Sequence, residues 1–265
     1  MRKTLCALGA AILMLASCST SYSIKGTSDV QNLDGNMLYL KASVADEVKN
    51  LDSCDVVHGQ FSFSGNIDTV KVAALYLDDE SIMPIVLEEG DITIKFDNAK
   101  QTCTGTPLND KLAKFIEKYN QITNQIVDLQ HQHDQAIMNG DNMEVVINRL
   151  QQKSNALNQQ YDDCITSFIE ENFDNILGPF VFQMATSNME IPLTNAWIDA
   201  LMAKATDAFK ENKYVKDFMN AAEHNQAIMT GMEEPAPQMP AAPPAGGPEG
   251  GQAAPTPNEL AQPEK

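Results

Sequence analysis

The reactive side chains of this chain are few, and their spacing suits little catalysis. It has five cysteines. Cys6 and Cys18 lie near the N-terminus, while Cys54, Cys103 and Cys164 stand singly further on. A dithiol centre needs one thiol to attack and a second, with two residues between them, to resolve the mixed disulfide. Zinc sites use the same close spacing, and no such pair occurs here. Of the three inner cysteines, Cys54 and Cys103 are the candidate pair for a disulfide in an oxidising compartment. Isolated cysteines otherwise serve as small buried hydrophobes, and Cys164 falls in the apolar stripe of a helical stretch. His131 and His133 would share a face on a strand and could bind a metal there. On a helix they diverge by about 200°, so they read as helix surface. His58 precedes a turn glycine and His224 falls on a helical stretch. Acidic runs at Asp78-Asp79-Glu80, Glu88-Glu89, Asp162-Asp163 and Glu170-Glu171 offer oxygen ligands of the kind calcium takes. No Asp-x-Asp-x-Asp-Gly loop frames them, so they read as solvated faces and turns. Phosphate-loop, nucleophile-elbow and His-Glu-x-x-His patterns are missing as well. The sequence thus points away from an enzyme, a metal site and a cofactor.

Acidic residues outnumber basic ones 36 to 18, a formal charge of −18. That charge repels nucleic acid and anionic headgroups, which excludes a nucleic-acid partner. The N-terminus carries a different message. Met1-Arg2-Lys3 is followed by an apolar run over residues 5–16, too short for the ~20 residues that span a bilayer. A basic start, an apolar stretch and small residues before a cut site make a secretory signal peptide over residues 1–17. Leu15-Ala16-Ser17-Cys18 resembles the bacterial lipobox. The resemblance implies that Cys18 becomes the first residue and carries acyl chains such as palmitate, each buried methylene contributing ~0.8 kcal/mol of membrane affinity. The expected membrane contact is this anchor, with residues 18–22 as a tether. Ser19-Thr20-Ser21-Tyr22 lacks the acidic run that follows the cysteine in surface-displayed lipoproteins. The expected location is therefore the outer membrane, facing the periplasm.

The elements that must carry these residues form two groups, which makes the fold class α+β. Residues 23–105 read as a β-domain, an antiparallel sandwich or partial barrel. Leu38, Leu40 and Ala42 alternate against Met37, Tyr39 and Lys41. Phe61 and Phe63 follow, then Val70, Val72, Ala74 and Tyr76, then a run over residues 82–87, then Ile92, Ile94 and Phe96. Turns are expected at Asp34-Gly35-Asn36, His58-Gly59, Ser64-Gly65-Asn66 and Glu89-Gly90-Asp91. At Thr106-Pro107 the period changes, with threonine as N-cap and proline at the first helical position. Leu108, Leu112, Phe115, Tyr119, Ile122, Ile126 and Leu129 recur in a three-four pattern up to Ile137, before Asn139-Gly140. Asp141 with Glu144 resembles a capping box opening a second run through Val146, Leu150, Leu157, Tyr161 and Phe168. Two long helices with a short joint should form an antiparallel hairpin of coiled-coil character. Gly178-Pro179 and Pro192 then break the chain. Shorter helices carry Trp197, Leu201 and Phe209, then Tyr214, Val215, Phe218 and Ile228, so the helical domain spans 106–232. Residues 233–265 hold nine of the 13 prolines and no apolar period, which predicts a disordered tail.

Several of these stretches have a family look. Leu51-Asp52-Ser53 followed by Val57-His58-Gly59-Gln60-Phe61-Ser62-Phe63-Ser64-Gly65 is one. Val86-Leu87-Glu88-Glu89-Gly90-Asp91-Ile92 and Thr104-Gly105-Thr106-Pro107-Leu108-Asn109-Asp110 are others. Together they resemble the domain of unknown function 4369, found at the N-terminus of envelope-anchored thioredoxin-like proteins. The likeness is good over residues 22 to 120 and looser along the helices. In that family a Gly-x-x-Ala-Pro join leads into a thioredoxin-like domain with a Trp-Cys-x-x-Cys centre. Gly231-Met232-Glu233-Glu234-Pro235-Ala236-Pro237 resembles the join, but no cysteine follows it. The resemblance therefore implies the N-terminal domain without the dithiol chemistry. Asp68-Thr69-Val70 resembles the O-glycosylation site of such bacteria, which would make Thr69 a glycan acceptor. Two functions are expected. One is a non-catalytic interaction or scaffold lipoprotein with an envelope protein partner. The alternative is an accessory that docks a thioredoxin-like thiol-disulfide oxidoreductase. A small-molecule pocket in the β-domain is a third expectation.

Overall fold

The computed structural model describes residues 20–232 apart from 31–32, 45–46 and 98–99. The expected signal peptide, Cys18 and the expected tail over 233–265 lie outside the described residues. The strands are β1 (Thr20–Ser28), β2 (Met37–Val44), β3 (Glu47–Asp55), β4 (Gln60–Ile67), β5 (Lys71–Leu77), β6 (Glu80–Leu87), β7 (Gly90–Phe96) and β8 (Gln101–Thr104). The helices that follow are α1 (Pro107–Asn139), α2 (Met143–Glu170), α3 (Leu177–Thr186), α4 (Ala196–Lys204), α5 (Asp207–Lys210) and α6 (Lys213–Met229). The α+β order is the one expected.

The strands make two four-stranded sheets, ordered β4-β1-β7-β8 and β3-β2-β5-β6. Their inner faces share one core: Ile24, Phe63, Ile92 and Ile94 from the first sheet meet Leu38, Leu40, Leu75 and Ile85 from the second. The result is an open sandwich. One pair departs from the expected antiparallel pattern: β1 and β7 run parallel, with Tyr22 opposite Gly90 and Ser28 opposite Phe96. The second sheet intervenes between them in sequence, and parallel neighbours need just such a long crossover.

Local sequence explains most of the remaining differences. Thr20–Tyr22 belongs to β1 rather than to a tether, and Tyr22 is buried. Ser64-Gly65-Asn66 is strand, not turn; Gly65 pairs with Tyr22, whose ring fills the space a Cβ would occupy. An aromatic ring across the strand compensates for the glycine. β3 has no counterpart in the hydrophobic pattern because it is an edge strand exposed along most of its length. In β5 the core is filled by Ala73 and Leu75, while Val72, Ala74 and Tyr76 are half-buried on the other face. Almost every residue of that strand is apolar, so alternation cannot select a face.

The two long helices pack antiparallel. Phe115 meets Phe168 with ring centroids 4.3 Å apart, Tyr119 meets Tyr161 at 5.5 Å, and Ala136 clusters with Val146. Gly140 closes α1 in the left-handed region at φ 72°. Asn142, rather than Asp141, caps α2 by accepting from the Glu144 and Val145 amides. Gly178-Pro179 lies inside the first turn of α3 instead of breaking the chain. Proline is tolerated there because its amide would have no intrahelical partner. Phe209 sits on its own short α5, not on α4.

Strand polarity fixes which way the hairpin points. β7 starts beside the beginning of β1, and β8 returns to that end. Gly105 then packs on the Asp91 backbone, where a Cβ would fall 2.5 Å from the carbonyl oxygen. From there α1 runs antiparallel to β8, with Asp110 beside Gly105 and Glu117 beside Lys100 at the far turn. Residues 125–139, beyond Asn124 at the end of the groove shared with β6 and β8, extend past the sandwich by ~22 Å, away from the end where β1 begins.

At Gly26 an ideal Cβ would lie 2.0 Å from the Phe61 ring, itself packed against Phe63 and Phe96. Gly26→Ala should lower unfolding stability by about 1–3 kcal/mol through overpacking. Urea denaturation would show the loss, and an unchanged midpoint would mean that the ring can move aside.

Candidate functional site

The sandwich and the helices are joined by a buried polar cluster where β6, β8 and α1 meet. Asn109, only 1% exposed, stands in the first turn of α1. Its Oδ1 accepts from the Val86 amide at 2.9 Å and from the Cys103 thiol at 3.3 Å. Its Nδ2 donates to the Val86 carbonyl at 2.7 Å and to Thr106 Oγ1 at 2.8 Å. Thr106 occupies the N-cap position as expected, but its side chain does not cap. Glu88, from the second sheet's end of the chain, does so instead: its Oε1 accepts from the Leu108 amide at 2.7 Å and the Asn109 amide at 3.2 Å. Glu88 is 8% exposed, which corrects its reading as part of a solvated acidic run. A carboxyl group suits this place because free amides and the positive end of the helix macrodipole converge there. Asp110 adds a bond from the Gly105 amide at 2.8 Å.

Beside this cluster lies a groove of about 790 Å³ between β6, β8 and α1. Its walls are Ile82, Met83 and Pro84 on one side, Gln101 to Thr104 on another, and the α1 face from Asn109 through Ala113 and Glu117 to Asn124. Lys100 and Glu117 meet across it at 3.6 Å. The volume is of ligand-binding size, and the lining mixes apolar side chains and carboxamides with the charged Lys100, Asp110, Lys114 and Glu117. A smaller hollow of about 420 Å³ lies between Val70, Leu108, Phe173 and Pro179. The second exposed feature is the hairpin tip, where Met138, Val145 and Ile137 are 80%, 64% and 55% exposed. Beneath them only Ala136, Val146 and Leu150 form a small buried cluster.

The residues singled out in the sequence do not converge. Cys54, Cys103 and Cys164 are free thiols. The Cys54–Cys103 bridge is therefore corrected, and topology gives the reason. Cys54 lies on edge strand β3 near Ser62 of β4, while Cys103 lies on β8 at the opposite edge. Three strand spacings, ~14 Å, separate those edges, against a limit of about 7 Å between bridged Cα atoms. Burial pushes the Cys103 thiol up to about 12, helped by the Asp110 and Glu88 carboxyls. Burial also raises Cys54, partly offset by the Ser62 backbone, and Cys164, partly offset by Lys118. His131 and His133 lie on α1, and His133 Nδ1 is 3.3 Å from its neighbour Asp134. Among the described residues no group of three His, Cys, Asp or Glu side chains gathers where a metal could sit. Thr69 lies exposed in the bend between β4 and β5. Asn109 and Glu88 were missed as functional positions, although both fall in stretches that carried the family resemblance. Each follows a leucine but precedes an exposed acid, Glu89 or Asp110, so local polarity alone does not mark it as buried.

The geometry defines a two-sheet β-domain locked to a helical hairpin through a side-chain cap. Residues 22–112 match the family described as Domain of unknown function (DUF4369), and the chain carries that domain. The match ends at Leu112, just past the Asn109 cluster, so it covers all eight strands and the junction. No curated protein matches the chain.

Asn109→Ala should leave both Val86 backbone groups unpaired and cost about 3 kcal/mol, read as a lower urea midpoint. A midpoint close to the parent's would remove Asn109 as the fastening residue. The Cys103 thiol ties stability to alkaline pH. The folded chain holds its proton to about 12, while the unfolded chain releases it near 9. Stability from this group is intact below pH ~9 and falls by about 1.4 kcal/mol per unit as pH rises toward 12. Denaturation curves between pH 8 and 11 should lose that slope in Cys103→Ala; an identical slope in both chains would place the titration elsewhere.

Proposed function

We propose that this chain is a lipid-anchored protein of the bacterial cell envelope that works by holding a protein partner at the far end of its helical hairpin. The observation that carries the reading is the direction and surface of the hairpin. It leaves the sandwich at the end opposite the start of β1, and its tip exposes Ile137, Met138 and Val145. Exposed apolar clusters at the end of a projecting element mark places where another protein docks. The lipobox-like residues support anchoring at Cys18. Because β1 begins at Thr20, such an anchor would keep the sandwich within ~7 Å of the lipid, and the tip would face away from it. The periplasmic face of the outer membrane fits the absence of an acidic run after Cys18. No helix among the described residues is long and apolar enough to cross a membrane.

A thioredoxin-like oxidoreductase is the alternative class of partner. The raised thiols of Cys54, Cys103 and Cys164 favour docking over thiol exchange in that case, since the thiolate is the nucleophile.

In native cells, photocrosslinking from position 137 should give one discrete adduct with the parent chain. The double variant Met138→Glu, Val145→Asp should lose that adduct while keeping its thermal midpoint, because exposed substitutions change stability by about 0.5 kcal/mol or less. Cys18→Ser should abolish palmitate incorporation and release the chain from membranes. An unchanged adduct in the double variant would remove the tip as the docking surface, and a palmitate-free parent chain would remove the anchor.

A further inference from the structure

We propose that the groove between β8, β6 and α1 binds an extended segment of another polypeptide, which adds as a fifth strand to the free edge of β8. This site is separate from the hairpin tip and does not rest on it.

The argument is one of backbone parity. Among the described residues β8 pairs only with β7, so one of its edges faces the groove. Where the two strands approach their junction, the Asp97 amide bonds the Lys100 carbonyl at 3.0 Å. Antiparallel pairs alternate between bonded and non-bonded. Counting from that bond along the register, Thr102 and Thr104 direct their backbone groups at β7, and Gln101 and Cys103 direct theirs outward. An independent bond agrees: the Phe96 carbonyl, opposite Gln101, accepts from the Asp29 amide on the far side of β7. The groove is therefore floored by two residues whose N–H and C=O groups point away from β7 in strand geometry, Gln101 exposed and Cys103 buried beside Asn109.

The opposite wall cannot compete for the same segment. β6 is also an edge strand, but Pro84 has no amide hydrogen, and the Val86 N–H and C=O are both held by Asn109. The β6 edge is closed and the β8 edge is open. Unpaired edges of this kind recruit extended peptides by strand addition. The lining favours small side chains without a positive charge on the incoming segment, since Lys114 also lines the groove. Ala113 leaves room, Met83 and Ile116 are apolar, and Lys100 is already paired with Glu117. Asn120, Gln121 and Asn124 each offer a donor and an acceptor along the α1 wall. The chain's own segment 233–265 is a poor occupant, since nine prolines interrupt its supply of amide hydrogens.

The test is selection of displayed random hexapeptides on the full chain, followed by synthesis of the enriched ones. Enriched peptides should lack proline at the pairing residues. N-methylation at alternate residues should weaken binding about tenfold or more in one phase and little in the other. Binding should slow amide exchange at Gln101 and Cys103 and should survive Met138→Glu at the hairpin tip. Ala113→Trp should fill the groove and abolish binding. If that variant does not fold, Asn120→Trp or Asn124→Trp, at exposed positions of the same wall, replaces it. Failure of any peptide to enrich, or equal binding to a folded groove-filled variant, would overturn the proposal. So would Gln101 and Cys103 amides that are protected in the free chain and lose protection on truncation after Met232, which would make the chain its own occupant.

Discussion

Asn109 has two acceptor sites and two donor hydrogens on its carboxamide, and all four are used. The bonds to Val86 are the telling pair. One carboxamide accepts from the N–H and donates to the C=O of the same residue, as a backbone unit of a neighbouring strand would. The helix thus completes the edge of the second sheet with a side chain. Thr106 and Cys103 take the remaining two sites, which ties the end of β8 to the same point. Loss of any member would strand buried polar groups that water cannot reach. The position of the whole helical module relative to the sandwich follows from this one residue, with Glu88 fixing where α1 starts.

Burial of Glu88 shows why the junction is stable in polar terms. A carboxyl group removed from water is costly unless hydrogen bonds replace its hydration. Two helix amides aligned with the macrodipole do so here. The apolar energy is distributed in three parts: the sandwich core, a helical core that includes Val86 from β6, and the small cluster near the hairpin tip. Val86 thus lies in the helical core while its backbone is held by Asn109. The tip cluster is supported by few buried residues, so that end should open first in local fluctuations. The docking surface proposed for the tip would then sit at the low-stability end of the fold.

Legibility followed periodicity. The helical hairpin could be read because its apolar positions recur over many turns, and Pro107 and Gly140 marked its ends within a residue. Most strands could be read from alternation. Edge strand β3 could not, because neither of its faces is buried enough to leave a pattern. The parallel β1–β7 pair could not, because pairing partners leave no trace in a single sequence. The two residues of greatest structural consequence were hidden for another reason. Glu88 sits beside exposed Glu89, and Asn109 beside exposed Asp110, so each looked like half of a solvated polar pair. The cysteine pairing failed on topology: nothing in sequence spacing says that β3 and β8 end on opposite edges.

The same topology orders the surfaces along one axis. The first described residue, Thr20, pairs with Ile67 at the end of β4, so the bend holding Thr69 lies at the end of the sandwich where the chain begins. Gly90 lies opposite Tyr22 at that end, and Thr106 packs against Gly90, so α1 begins there too. Because β8 is short, α1 passes the length of the β8–β6 groove within its first five turns and then has no sheet beside it. A helix of 33 residues measures ~50 Å at 1.5 Å per residue, and the sandwich supports only about its first half. A rigid junction is what makes such an arrangement useful. Were α1 joined to β8 by a flexible loop, the tip would sample a wide volume and the groove would have no fixed width. With Asn109 and Glu88 holding both the start and the edge contact, the groove keeps its shape and the tip keeps its direction, so both surfaces depend on the same few hydrogen bonds.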